Sequence, residues 1–214
     1  MKLYIIRHGE TDWNKARRVQ GHSDIPLNDY GRNLAKQTAE GLKDTKFDLA
    51  YTSPLVRAKE TAKIILRGRE IPLLEEEGIK ELGFGAYEGM CISGSKKAPE
   101  SEEFNRFFKD TANYVPAEGG ESIQELMDRT GAFMKRICAD ETLYDKAILI
   151  STHGAAMTAL LNNIKGIHEI GRFWNQGVPA NCAVTVVEAE HGILHITAEN
   201  LIYYKEPVKK WDVE

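Results

Sequence analysis

The sequence predicts an α/β fold, a largely parallel sheet covered on both faces by helices. Three observations carry that expectation. Short apolar runs recur at residues 3–6, 47–51 and 147–151, each too short for a helix. Segments with helical spacing of apolar residues lie between and after these runs. Near the end, residues 182–188 and 193–198 alternate around Glu190-His191-Gly192, the pattern of a hairpin.

The first strand, Leu3-Tyr4-Ile5-Ile6, stops at Arg7-His8-Gly9. A guanidinium and an imidazole at a buried strand end are costly unless an anion meets them there. Gly9 lets the chain turn and lets a ligand approach the backbone. This strand end therefore reads as the floor of a phosphate pocket, with His8 as nucleophile. Residues 11–26 are polar and mixed and read as a loop. A helix is expected from Asp29, capped by Asn28, with Leu34, Thr38 and Leu42 on one face. The second strand runs into Thr52-Ser53-Pro54, where Ser53 suits a cap and Pro54 the first helical position. Leu55, Ala58, Ala62 and Ile65 make that helix's buried stripe, and Arg57 falls in its first turn.

Ile71-Pro72-Leu73-Leu74 suggests an edge strand. Gly83, Gly85, Gly89 and Gly94 mark turns, and Phe104, Phe107 and Phe108 a short helix. Residues 86–120 thus read as a lid-like insertion over one end of the sheet, in a chain of 214 residues that otherwise makes a single domain. Ser122-Ile123-Gln124-Glu125 is a capping box, followed at helical spacing by Leu126, Thr130, Phe133, Met134 and Ile137. The third strand ends at Thr152-His153-Gly154, where an Ala- and Leu-rich helix begins. The tail from Tyr203 reads as surface chain.

Composition narrows the function classes. The chain is 42% hydrophobic and 28% charged, as in ordinary globular proteins. A net charge of −4 leaves no basic footprint for nucleic acid and no polybasic face for a membrane, so local charge must bind any anion. Cys91, Cys138 and Cys182 are odd in number and far apart, and read as small buried apolar residues. No signal-like run is present and nothing approaches the ~20 apolar residues of a membrane span, so a reducing cytoplasm is expected.

In a parallel sheet, ligands bind in the crevice at the carboxyl ends of the strands. Three strand-to-helix junctions here carry Arg7-His8-Gly9, Arg57 and His153-Gly154, and all three should open on one edge. Helix N-termini there add free N–H groups and partial positive charge. Two arginines suit a phosphoryl group, in the ground state and as charge develops during transfer. His8 attacks only as neutral imidazole, and two nearby guanidinium cations should lower its pKa. His153 can donate to the same oxygens. His22, His168, His191 and His195 lie in expected loops or the hairpin and read as structural or surface groups.

With these residues in place, the chain resembles the histidine phosphatase superfamily, which includes cofactor-dependent phosphoglycerate mutases and related phosphatases. The resemblance runs from Arg7-His8-Gly9-Glu10-Thr11-Asp12-Trp13-Asn14 through Gln20-Gly21-His22-Ser23-Asp24-Ile25-Pro26-Leu27 to Ser53-Pro54-Leu55-Val56-Arg57-Ala58. It continues with Glu81-Leu82-Gly83-Phe84-Gly85-Ala86-Tyr87-Glu88-Gly89 and Thr152-His153-Gly154. It implies a three-layer α/β/α sandwich, phosphoglycerate mutase-like, and a phosphohistidine at His8. It places Arg7, Arg57 and His153 in the phosphate pocket, with Asn14, Gln20 and Gly21 contacting substrate. Glu81 falls where the family carries its proton donor, a role that partial burial would favour by raising its pKa.

Mutases of this family follow the proton donor with Arg-His-Tyr-Gly, where Leu82-Gly83-Phe84-Gly85 stands here. The insertion also lacks their adjacent arginine pair; Arg106 stands alone, with Lys96-Lys97 nearby. The expectation is a phosphatase acting on small phosphorylated metabolites and releasing phosphate ion, with no cofactor and no metal. A phosphoglycerate mutase is the alternative, and a non-catalytic module binding phosphorylated ligands a remote one. A metallohydrolase is disfavoured, because no HxH or HExxH spacing occurs and two arginines repel a cation. Within the insertion, Phe104, Phe107, Lys96 and Lys97 are the candidates for setting the substrate. Neither the natural substrate nor the oligomeric state is legible.

Overall fold

The computed structural model describes residues 1–190 and 193–209. Its strands are β1 (Lys2–Arg7), β2 (Leu49–Thr52), β3 (Leu73–Glu75), β4 (Ala147–Thr152), β5 (Val184–Glu190) and β6 (Ile193–Leu201). Its α-helices are α1 (Asp12–Lys15), α2 (Asp29–Gly41), α3 (Val56–Ile65), α4 (Ser101–Lys109), α5 (Ile123–Ala139) and α6 (Gly154–Lys165). One sheet has the order β3-β2-β4-β1-β5-β6. The first four strands of that order run parallel, while β5 is antiparallel to β1 and β6 to β5. The closing hairpin is as expected, although its tip at His191-Gly192 lies outside the described residues.

Alternation along the strands builds both cores. In β1, Leu3 and Ile5 face one layer and Ile6 the other; in β4, Ile148 and Ile150 oppose Leu149. Both sides are apolar because both faces are covered. Phe133, Met134 and Ile137 of α5, with Met157 and Leu160 of α6, fill one side. Leu34 and Ala35 of α2, with Ala62 and Ile65 of α3, fill the other. Phe133 meets the edge of Tyr51 at 5.3 Å, and burying such a ring contributes about 1.5–3 kcal/mol. The three-layer sandwich with a mostly parallel sheet is therefore present.

Some local expectations need correction. Residues 11–26 are not all loop. Thr11 and Asn14 form a reciprocal capping box that nucleates α1, which ends where Arg17 takes a positive φ of 53°. The second strand is Leu49–Thr52, because Phe47 leaves the sheet to meet Tyr4 edge-on at 5.2 Å. Pro54 is not the first residue of α3, which starts at Val56 with Leu55 as its extended N-cap. The free Val56 N–H is taken by Asp24 Oδ1 at 2.6 Å, so a distant carboxylate does the capping. Of the cysteines, Cys182 is buried but Cys91 and Cys138 are half-exposed.

The tail is not simply surface chain either. Tyr204 is buried, with its hydroxyl donating to Asn181 O at 3.1 Å. Glu206 accepts from Gln37, and Lys209 pairs with Glu10 at 2.6 Å. Residues 210–214 lie outside the described part. No α-helix among the described residues is long and apolar enough to cross a membrane.

The turn after β1 runs tightly against the start of α2. A Cβ on Gly31 would stand 2.1 Å from Glu10 O and 2.5 Å from Glu10 N, both backbone atoms with no room to yield. Gly31→Ala is expected to lower stability by about 3 kcal/mol or more, read as a fall in the urea midpoint without a change in slope.

Candidate active site

The carboxyl ends of β1, β2 and β4 bring the four expected basic groups together: the His8 and His153 rings are adjacent, and both imidazoles feel the Arg57 and Arg7 cations. His8 follows β1, is 3% exposed, and donates its backbone N–H to Thr152 O at 2.9 Å. Its Nδ1 lies 2.6 Å from Gly9 O. A carbonyl only accepts, so Nδ1 carries the proton and Nε2 the lone pair. Gly9 N–H donates to Thr61 Oγ1 at 3.0 Å, and the Thr61 hydroxyl donates to Arg57 O at 2.8 Å, so α3 holds the loop that orients the imidazole. Asn181 Nδ2 donates to His8 O at 2.9 Å from the other side.

His153 caps α6, and its ring centroid is 5.1 Å from that of His8. His153 Nε2 is 2.7 Å from Ser53 Oγ. Arg57 is fully buried and donates to Gly21 O at 2.7 Å and Ser23 O at 2.9 Å. The Gln20 amide, with its oxygen toward Arg57, accepts from Arg57 Nε at 3.0 Å and puts its nitrogen 2.6 Å from Thr11 Oγ1. Arg7 donates to Pro179 O, whereas Arg7 Nε and His153 Nδ1 are buried with no partner among the described residues.

Burial dominates the electrostatics. The His8 pKa is pushed well below its ordinary value, first by desolvation, then by the Arg57 and Arg7 cations. The arginines alone were expected to do this; they are the smaller causes. His153 is lowered in the same way, by burial, then Arg57 and His8. Burial brings Arg57 down to about 10, which leaves it charged at neutrality.

Glu81 is 7% exposed and sits at the start of α6. Its Oε1 accepts from Leu82 N–H at 3.0 Å and Ala156 N–H at 2.9 Å, and its Oε2 from Ala155 N–H at 3.1 Å. At Gly154 a Cβ would stand 3.5 Å from Arg7 Nε and 3.6 Å from Glu81 Oε2, so the glycine keeps the floor between them open.

An open cavity is lined by Arg7, His8, Asn14, Gln20, Glu81 and Gly154. Its far wall is aromatic, with Phe84, Phe104, Phe107, Phe108 and Trp174. Of the expected residues, Gly21, Arg57 and His153 do not line it. Gly21 serves Arg57 through its carbonyl, and Arg57 and His153 stand behind His8. Phe104 and Phe107 face the cavity, but Lys96 and Lys97 are exposed outside it, Lys97 paired with Glu102. Arg18, at the cavity and donating to Gly89 O at 2.6 Å, was missed. So were Thr61 and Asn181, which carry no motif of their own. Ser53 was seen only as a helix cap. Among the described residues, no group of three or more His, Cys, Asp or Glu could hold a metal.

Comparison with known proteins adds the following. The sequence pattern of the histidine phosphatase superfamily (branch 1) matches residues 3–201. The uncharacterised phosphatase PhoE of Bacillus subtilis is 39% identical over 162 residues, 76% of this chain and 76% of that protein. The probable phosphoglycerate mutase GpmB of Escherichia coli is 33% identical over 167 residues, 78% of this chain and 76% of that one. The solved structure of YhfR from Bacillus stearothermophilus superposes with a TM-score of 0.82 at 29% identity, covering 93% of this chain and 96% of that one.

Proposed function

The chain belongs to the histidine phosphatase superfamily, branch 1, and from that premise we propose that it is a metal-independent phosphomonoesterase working through a phosphohistidine on His8. One observation carries the reading. His8 is held uncharged, with Nδ1 committed to Gly9 O, on the floor of a cavity that also holds Arg7 with an unpartnered Nε and the Glu81 carboxyl.

The proposed chemistry has two steps. His8 Nε2 uses its lone pair to form a bond to phosphorus while the bond to the ester oxygen breaks. Glu81 delivers a proton to that departing oxygen. Water then attacks phosphorus, the P–N bond breaks back to His8, and Glu81 takes the proton from water. Arg7 meets the phosphoryl oxygens directly. Arg57 has most of its donors on Gly21, Ser23 and Gln20, so its part is chiefly the positive field behind His8 and the shape of residues 20–23. His153 is the second neutral imidazole beside the transferred group. Asn14 and Gln20 bound the substrate, and residues 86–120 act as the lid.

The leaving group faces rings rather than cations. A small carboxylate-bearing substrate would find Arg18 at the cavity and little else, which favours hydrolysis over mutase chemistry. With EDTA present, the purified protein is expected to release phosphate from p-nitrophenyl phosphate and from some members of a panel of phosphorylated metabolites. Efficient interconversion of 3- and 2-phosphoglycerate with negligible phosphate release would overturn the choice.

A further inference from the structure

We infer that Arg129 is a positioning residue for Glu81, fixing through the main chain where that carboxyl group stands; this rests on the proton-donor role proposed above. A guanidinium has five N–H donors in a rigid planar fork, and on Arg129 every one is taken. Nη1 donates to Gly78 O at 3.1 Å and Lys80 O at 2.7 Å. Nη2 donates to Glu81 O at 2.9 Å and Glu121 Oε2 at 2.9 Å, and Nε to Glu121 Oε1 at 2.6 Å. Glu121 Oε2 also accepts the Gly83 N–H at 3.2 Å. The Arg129–Glu121 pair therefore grips the chain on both sides of Glu81.

That grip matters because the segment has little regular structure of its own. Glu81 follows a single 3-10 turn and is flanked by Gly78 and Gly83. Thr152 Oγ1 adds one tie, to Ile79 O at 2.7 Å, and His22 Nε2 another, 2.9 Å from Glu81 O. The carboxyl group itself is held by α6. Glu81 is thus suspended between α6, which holds its side chain, and α5, which holds its backbone through Arg129. Arg129 does not line the cavity and its donors are all spent on protein oxygens, so it is expected to act through Glu81 and not on substrate.

The test uses two esters. p-Nitrophenyl phosphate loses a stabilised phenolate and needs little protonation; a primary alkyl phosphate needs the proton. Glu81→Gln is expected to slow the alkyl ester about 100-fold or more and the aryl ester far less. Arg129→Gln is expected to lower kcat for the alkyl ester about 10- to 100-fold, with KM and aryl turnover within about threefold. In the Glu81→Gln background it should add nothing further. Equal losses on both esters from Arg129→Gln, or a loss that persists in full on top of Glu81→Gln, would overturn the inference while leaving Glu81's role standing. If Glu81→Gln itself slowed both esters alike, the proton-donor reading would fail and this inference with it. Should Arg129→Gln not fold, Glu121→Ala frees two of the five donors and is expected to give the same ester-dependent pattern in weaker form; a uniform loss there counts equally against it.

Discussion

His8→Ala is expected to lower turnover by at least about 10⁴-fold on every phosphate ester, because it removes the proposed nucleophile of the covalent intermediate. Acid quenching during turnover should trap phosphate on the wild-type chain and none on the variant. A residual rate within tenfold of wild type would remove His8 from the role. The pH profile gives a second check. The His8 pKa is held well below the ordinary value of 6.5, so the imidazole stays uncharged, as the proposed nucleophile must, while pH falls through the range where an exposed histidine protonates. No acid limb near pH 6.5 should be assignable to it. Stability behaves oppositely. The unfolded chain binds protons at His8 and His153 before the folded chain does, so the stability these groups contribute is full above about pH 6.5 and falls as pH drops below it. Losing His8 should therefore make unfolding less sensitive to acid, which also shows that the inactive variant is folded.

Arg57→Ala is expected to reduce kcat/KM about 10³-fold, with an added stability loss that Arg7→Ala does not match. Two causes combine. The variant loses the cation beside His8, and it strands the buried carbonyl of Gly21, at roughly 1–3 kcal/mol, while the half-buried Ser23 carbonyl turns to water at smaller cost. Arg57→Lys should rescue little. An ammonium carries its three donors on one atom and cannot span Gly21, Ser23 and Gln20 together. The measurements are steady-state rates on p-nitrophenyl phosphate and urea unfolding. A variant with near-normal stability but a thousandfold slower rate would assign Arg57 to the field alone.

The layers were legible because the continuous apolar runs of β1 and β4 declare strands covered on both faces, and the stripe on α5 declares which side of that helix is buried. The junction residues were legible because charge beside a buried strand demands an anion. What escaped detection had long-range causes. Val56 is capped by Asp24, and His8 is steadied by Asn181; neither partner is near in sequence. Arg57 was read as a ligand for the oxyanion, yet its hydrogen bonds to residues 20–23 emerge only from three-dimensional arrangement. Lys96 and Lys97 were weighed by charge, but only the fold shows which side of the lid they occupy.

The placement of β1 has a consequence for biosynthesis. Ile5 is paired in register with Ile150 on one side and Thr185 on the other, so the strand that leads into His8 leaves the ribosome well before either neighbour does. The nascent chain must keep an apolar segment waiting until residues 147–152 and 184–190 are made, and such distant pairings are slow to form. Products truncated before β5 lack a neighbour of β1 and are expected to be inert on phosphate esters.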